Sequence, residues 1–209
     1  MGAMAQVRPY RGVEAAERLA ARRRRFLDAG LDLLGGESDP DDLTVRAICR
    51  RAGLTIRYFY ESFADKDDFV SAVFDWVIAE IAATTQTAVA AAPVKKQSRA
   101  GMANIVRTIT EDPRVGRLIF STQLANPVVV RKRVESGALF AMLSGQHADS
   151  VLGMRKNERI KATANFVVGG VTQTISTWLA GDVGLKPDQL MEQLASIVDK
   201  LNEPRLFRD

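Results

Sequence analysis

Gly53 constrains this chain more than any other residue, because it separates two short amphipathic stretches that can only be joined through a tight turn. Val45, Ile48, Cys49 and Ala52 fall at i, i+3, i+4 and i+7, so one face of the first stretch is apolar while Arg46, Arg50 and Arg51 point away from it. Thr44 stands where such a helix needs an N-cap, and Gly53 stands where its C-terminus needs a residue tolerant of positive φ. The chain then turns through Leu54 into a second short helix that starts at Thr55. Phe59 and Phe63 can turn back into a core, while Ile56, Arg57 and Tyr58 lie near the helix start. Two short helices so joined form a helix-turn-helix, whose second helix presents its first residues to base edges in the major groove. Asp65, with Asp68 three residues on, opens a third helix, and Phe69, Val70, Val73, Phe74, Val77, Ile78 and Ile81 give it a long apolar stripe. A helix of that kind can carry force between domains.

The run Ala52-Gly53-Leu54-Thr55, with Tyr60, Phe63 and Lys66 in register behind it, resembles the DNA-binding domain of the tetracycline-repressor (TetR) family. The resemblance covers residues 12–82. It implies a ligand-responsive repressor that binds a palindromic operator as a homodimer through its N-terminal helices. Its C-terminal helices would hold a small molecule that weakens DNA binding. Glu61 and Ser62 depart from the pattern, since many members carry histidines or other phosphate-facing groups there. The register of the reader helices assigns Arg57 and Tyr58, with Ile56 and Thr55 beside them, to the DNA-reading end. Thr44, Arg46, Tyr60 and Lys66 are assigned to the DNA backbone. Tyr60 has a second reading as a core aromatic.

The net charge of +4 invites a nucleic-acid partner, but residues 1–75 hold 12 Lys and Arg against 13 Asp and Glu, so the surplus lies in the C-terminal part. What supports DNA binding is pattern rather than sum. Arg22 to Arg25, Arg46, Arg50, Arg51 and Arg57 precede residue 58, while acids fill 37–42 and the stretch after Glu61. Residues 1–11 read as a flexible arm in which Arg8 and Arg11 could reach DNA. The first helix spans 12–34, with Leu19, Phe26, Leu27, Leu31 and Leu34 inward, and Gly35-Gly36 ends it. No apolar run reaches the ~18 residues of a membrane span, and no signal-peptide layout opens the chain, so the expectation is a cytoplasmic protein. The single cysteine, Cys49, excludes an internal disulfide. The single histidine, His147, lacks a partner at metal-ligand spacing, and there is no nucleophile elbow, phosphate loop or dinucleotide fingerprint. Neither an enzyme nor a cofactor is expected.

The rest of the chain reads as helices. They are expected at 98–110, stopped by Asp112-Pro113, at 114–125, from Asn126 to Ala148 or beyond, at 157–180, and from Pro187 to Leu201, giving an all-α fold of about nine helices. A domain boundary falls at 80–85, dividing the helix-turn-helix domain (12–82) from a helical effector-binding and dimerisation domain (83–209). Bulky apolar residues mixed with flexible methionine and a few amides suit a ligand cavity, which makes Met102, Val106, Ile109, Phe120, Leu124, Phe140, Leu143, Phe166, Gln173 and Trp178 its candidate wall. The last two helices carry more apolar surface than one chain needs, with Ala164, Gly169, Gly170 and Thr174 permitting close approach, and so suit a two-fold dimer. Two other readings remain: a DNA-binding module or activator with no effector, and a small-molecule carrier or enzyme with a vestigial reader.

Overall fold

The computed structural model describes residues 10–36, 43–152 and 158–201, with side chains for 16–36, 43–142 and 158–201. Arg8 and the side chains of Arg11, Leu143 and His147 lie outside the described residues. Among the described residues nine α-helices follow one another: α1 (Tyr10–Gly35), α2 (Val45–Ala52), α3 (Ile56–Ser62), α4 (Lys66–Ala90), α5 (Gln97–Glu111), α6 (Pro113–Phe120), α7 (Pro127–Leu152), α8 (Glu158–Leu179) and α9 (Pro187–Leu201). A 3-10 turn, Val94–Lys96, joins α4 to α5. The all-α expectation holds, and among the described residues no helix is long and apolar enough to cross a membrane.

Local chemistry explains the boundaries. Thr44 Oγ1 accepts the Ala47 amide at 3.1 Å, and Gly53 closes α2 at φ 63° and ψ 36°. At the head of α4 the Asp65 carboxylate accepts the Asp68 amide at 2.8 Å, and the Asp68 carboxylate accepts the Ala64 amide at 3.0 Å. This is a capping box displaced by one residue. Asn126 caps α7 by accepting the amides of Val128 and Val129. Asp112 ends α5, and its carboxylate accepts the Arg114 amide at the start of α6. That helix stops at Phe120, five residues short of the expected Ala125. The Arg133 guanidinium takes the carbonyls of Arg117 and Leu118, satisfying the helix end, and the chain turns through 121–126 so that Leu124 still reaches the core.

One apolar core runs the length of the molecule along α4. At the reader end, Phe26, Phe59 and Phe69 are fully buried and Phe63 nearly so. Their rings meet edge to face, Phe26 on Phe59 at 5.8 Å and Phe63 on Phe69 at 5.1 Å. Val73, Phe74, Val77, Ile78 and Ile81 then continue the same core to Val106, Ile109, Leu118, Val129, Ile175 and Leu190 of the C-terminal helices. The suggested boundary at 80–85 therefore falls inside a continuous helix. Leu19 departs from expectation: it is 46% exposed, within a run of exposed residues, 16–21, near the start of α1.

Candidate nucleic-acid interface

The reader has an inner and an outer face. Ile48, Cys49 and Ala52 of α2 and Phe59 of α3 are buried, and burial pushes the Cys49 thiol up from its ordinary pKa, so it stays protonated core. Outward stand Thr55, Ile56, Arg57, Tyr60 and Glu61 of α3, Thr44 and Arg46 at the start of α2, and Lys66 at the start of α4. Arg57 is the most extended of these, its side chain 85% exposed at the first turn of α3. Tyr60 is 58% exposed and rests edge-on against Phe59, which removes the core reading of this tyrosine. Thr55 is the N-cap residue of α3 but makes no side-chain capping bond, so its hydroxyl remains available. Tyr58 is placed differently from its neighbour Arg57. It is half-buried toward α1, with the Arg22 guanidinium 4.2 Å from its ring centroid.

What the sequence did not disclose is the work of the four consecutive arginines of α1. They cannot share a face, and each holds a different part of the reader. Arg22 reaches Glu61 at 3.4 Å, and Arg23 donates to the Ser62 carbonyl at 2.7 Å while lying over Phe63. Arg24 pairs with Asp28 and lies over Trp76 at 4.3 Å. Arg25 donates to the carbonyls of Ala52 at 2.8 Å and Gly53 at 3.3 Å, placing a cation on the C-terminus of α2. The cluster that looked available to phosphate is thus largely a bracket that fixes α2, α3 and α4 on α1. The only available signal was that four arginines fill one turn.

A second bracket joins the reader to the C-terminal helices. Asp32 of α1 accepts from Arg51 of α2 at 2.6 Å and also from Arg114 of α6. Arg114 in turn pairs with Asp112 at 2.6 Å, and that hydrogen bond holds the Asp112 carboxyl below its usual range. Arg117 of α6 donates to the Gly35 carbonyl. Gly35, expected only to end a helix, is where α1 touches α6: a Cβ there would fall inside van der Waals contact with the Arg114 backbone. On the far side of α4, Lys132 of α7 meets Asp75 at 2.8 Å.

The candidate effector wall divides. Val106, Ile109 and Leu124 are in the buried core, with Met102, Phe120, Phe140 and Trp178 packed against it. The Trp178 indole donates to the Leu185 carbonyl at 2.7 Å. Phe166, 67% exposed, and Gln173, also exposed, stand on the opposite face of α8 from Ile160, Ala164 and Ile175. On that outer face a Cβ at Gly169 or Gly170 would meet nothing within 4 Å among the described residues. A buried amide also ties this region together: Asn104, 3% exposed, donates to Thr84 at 3.0 Å and Thr85 at 2.9 Å on α4 and accepts from Arg107 at 2.7 Å.

Residues 26–73 match the family described as bacterial regulatory proteins, tetR family. Solved structures share the fold over nearly the whole chain. The fatty acid degradation regulator FadR from Bacillus halodurans superposes with a TM-score of 0.70 at 14% identity, covering 88% of this chain and 95% of that one. A tetR-family transcriptional regulator from Streptomyces coelicolor gives 0.67 at 16% identity, over 87% and 80%. The transcriptional regulator FadR from Bacillus subtilis in complex with stearoyl-CoA gives 0.63 at 15% identity, over 86% and 97%. No curated protein matches by sequence.

Proposed function

We propose that this chain, a TetR-family transcriptional regulator by its residues 26–73, is a cytoplasmic repressor that binds a palindromic operator as a homodimer and is released by a small, mainly apolar effector. The observation that carries the reading is the continuity of α4. The helix runs for 25 residues, from the reader core around Phe69 to α5, to which Asn104 ties it at Thr84 and Thr85. Movement of α5, α6 or α7 is transmitted to α3 through α4 and through the Asp32–Arg114 and Lys132–Asp75 bridges. Recognition helices of a dimer must enter major grooves ~34 to 36 Å apart, so a small change in their separation costs affinity.

The outer face of α8 supports the dimer. Phe166, Gly169, Gly170 and Gln173 form an exposed strip on which nothing among the described residues explains the glycines, although each costs a helix ~1 kcal/mol relative to alanine. With Ile197 of α9, also exposed, the strip suits a two-fold helical seam. The apolar character of the effector rests on Met102, Phe120, Phe140 and Trp178 around the C-terminal core. The stearoyl-CoA held by the B. subtilis FadR is an instance, in this fold, of a ligand that carries a long apolar chain on a polar, anionic head.

Selection from a pool of randomised duplexes by the full-length protein tests DNA reading, and a two-fold symmetric consensus is the expected result. Acyl-CoAs of increasing chain length and small apolar compounds are then titrated with and without that consensus DNA. A coupling of ~1 to 3 kcal/mol corresponds to about 5- to 150-fold weaker binding, the same factor in both directions. Compounds that bind equally well to free and DNA-bound protein would leave an effector-free module as the better account.

A further inference from the structure

Glu61 stands on the outward face of α3, where a phosphate backbone would meet a negative charge. Its two oxygens are both engaged. Oε1 accepts Nε of Arg57 at 2.9 Å, one helical turn earlier, and Oε2 accepts Nη1 of Arg22 at 3.4 Å. Arg22 belongs to α1 and lies over the Tyr58 ring at 4.2 Å, so the carboxylate is braced from a second helix rather than free to follow Arg57. Among the described residues, Glu61 is the one recorded partner of the Arg57 guanidinium, whose side chain is otherwise 85% exposed.

The geometry of a guanidinium decides what this contact does. Arginine offers five N–H donors in a planar fork, and engaging Nε with a carboxylate leaves the two terminal nitrogens pointing onward as a pair. Such a pair matches the O6 and N7 acceptors of guanine in the major groove. An unbraced exposed arginine could instead swing to the nearest phosphate, a contact that carries no sequence information.

We infer that Glu61 is a specificity-determining positioning residue: braced by Arg22, it holds Arg57 for bidentate readout of a guanine and opposes its capture by phosphate. The inference rests on α3 being the DNA reader. It explains why an acid occupies this face: the carboxylate gives up general DNA affinity in return for discrimination.

The test uses the full-length protein and selection from randomised duplex DNA at ~0.15 M salt, an ionic strength that screens but does not abolish phosphate contacts. Wild type is compared with Arg57→Ala, Glu61→Gln and Arg22→Gln. Wild type should enrich a motif containing a guanine at one position of each half-site, and Arg57→Ala should lose preference at that position alone. Glu61→Gln should keep the rest of the motif while its preference for that guanine falls about 10-fold, within the range of one bidentate contact. Its affinity for mixed-sequence duplex should rise, with a salt slope steeper by about one phosphate contact. Arg22→Gln should lie between the two. A merely structural glutamate would weaken all sequences alike. Unchanged guanine preference in Glu61→Gln, alongside a motif enriched by wild type, would overturn this inference and leave α3 as the reader. Failure of wild type to enrich any motif would overturn both.

Discussion

Gly53→Ala tests the turn on which the reader depends. Gly53 sits at φ 63° and ψ 36°, its amide donates to the Arg50 carbonyl at 3.3 Å, and the Leu54 amide donates to the Cys49 carbonyl at 3.0 Å. Placing a Cβ in left-handed backbone costs ~1 to 2 kcal/mol. The added carbon would also lie 2.9 Å from Nη2 of Arg25, the atom that donates to the Ala52 carbonyl. Arg25 is a flexible, exposed side chain and can retreat, but the retreat removes a hydrogen bond worth ~0.5 to 1.5 kcal/mol net. The unfolded state acts with the opposite sign: alanine stiffens the unfolded chain, which lowers its entropy and returns ~0.4 to 1 kcal/mol. The expected net loss is therefore about 0.5 to 3 kcal/mol, or ~1 to 12 °C in melting temperature for a chain of this size. Urea unfolding at one fixed protein concentration measures it, since the stability of the proposed homodimer would depend on concentration. Gly53→Asn should lose less than Gly53→Ala, because asparagine enters left-handed backbone more readily. A Gly53→Ala protein within ~0.5 kcal/mol of wild type, the usual scatter of surface substitutions, would refute the reasoning. So would an asparagine variant less stable than the alanine one.

Three further outcomes follow from the same structure. Phe59→Ala removes a fully buried ring that meets Phe26, Tyr60, Phe63 and Phe69, and should cost ~3 to 5 kcal/mol in denaturant unfolding and abolish DNA binding. Gly35→Val should force α1 away from the Arg114 backbone at ~1 to 3 kcal/mol, and calorimetry should show it by a lowered or split transition. Asp112, whose folded pKa is lowered chiefly by its hydrogen bond from Arg114, contributes stability that is present above the ordinary aspartate value near ~4 and lost as pH falls through the lower folded value. Asp112→Asn should therefore be less stable than wild type at neutral pH and show a shallower loss of stability below about pH 4, read by urea midpoints across an acid series.

The sequence alone determined whatever depends on a residue and its near neighbours along the chain. Thr44, Gly53, Asp65, Asn126 and Pro187 fix helix ends through their own side chains or backbone, within a few residues, so their places were legible before any fold was known. The 3.6-residue stripes of α2 to α4 were legible for the same reason, and so was the inward turn of Phe59 and Phe63. Tertiary structure decided the rest. Whether Arg22 to Arg25 face solvent or brace the reader depends on where α2, α3 and α4 come to lie against α1. Leu19 fits the apolar stripe of α1 yet is exposed, because periodicity identifies a face but cannot tell whether another helix covers it. Phe166 makes the same point on α8, and Gly35 makes its converse, a position read as a stop that serves as the contact between α1 and α6. Asp32 is shared by arginines 19 residues and 82 residues away, a pairing that only the packing of α1 against both α2 and α6 creates.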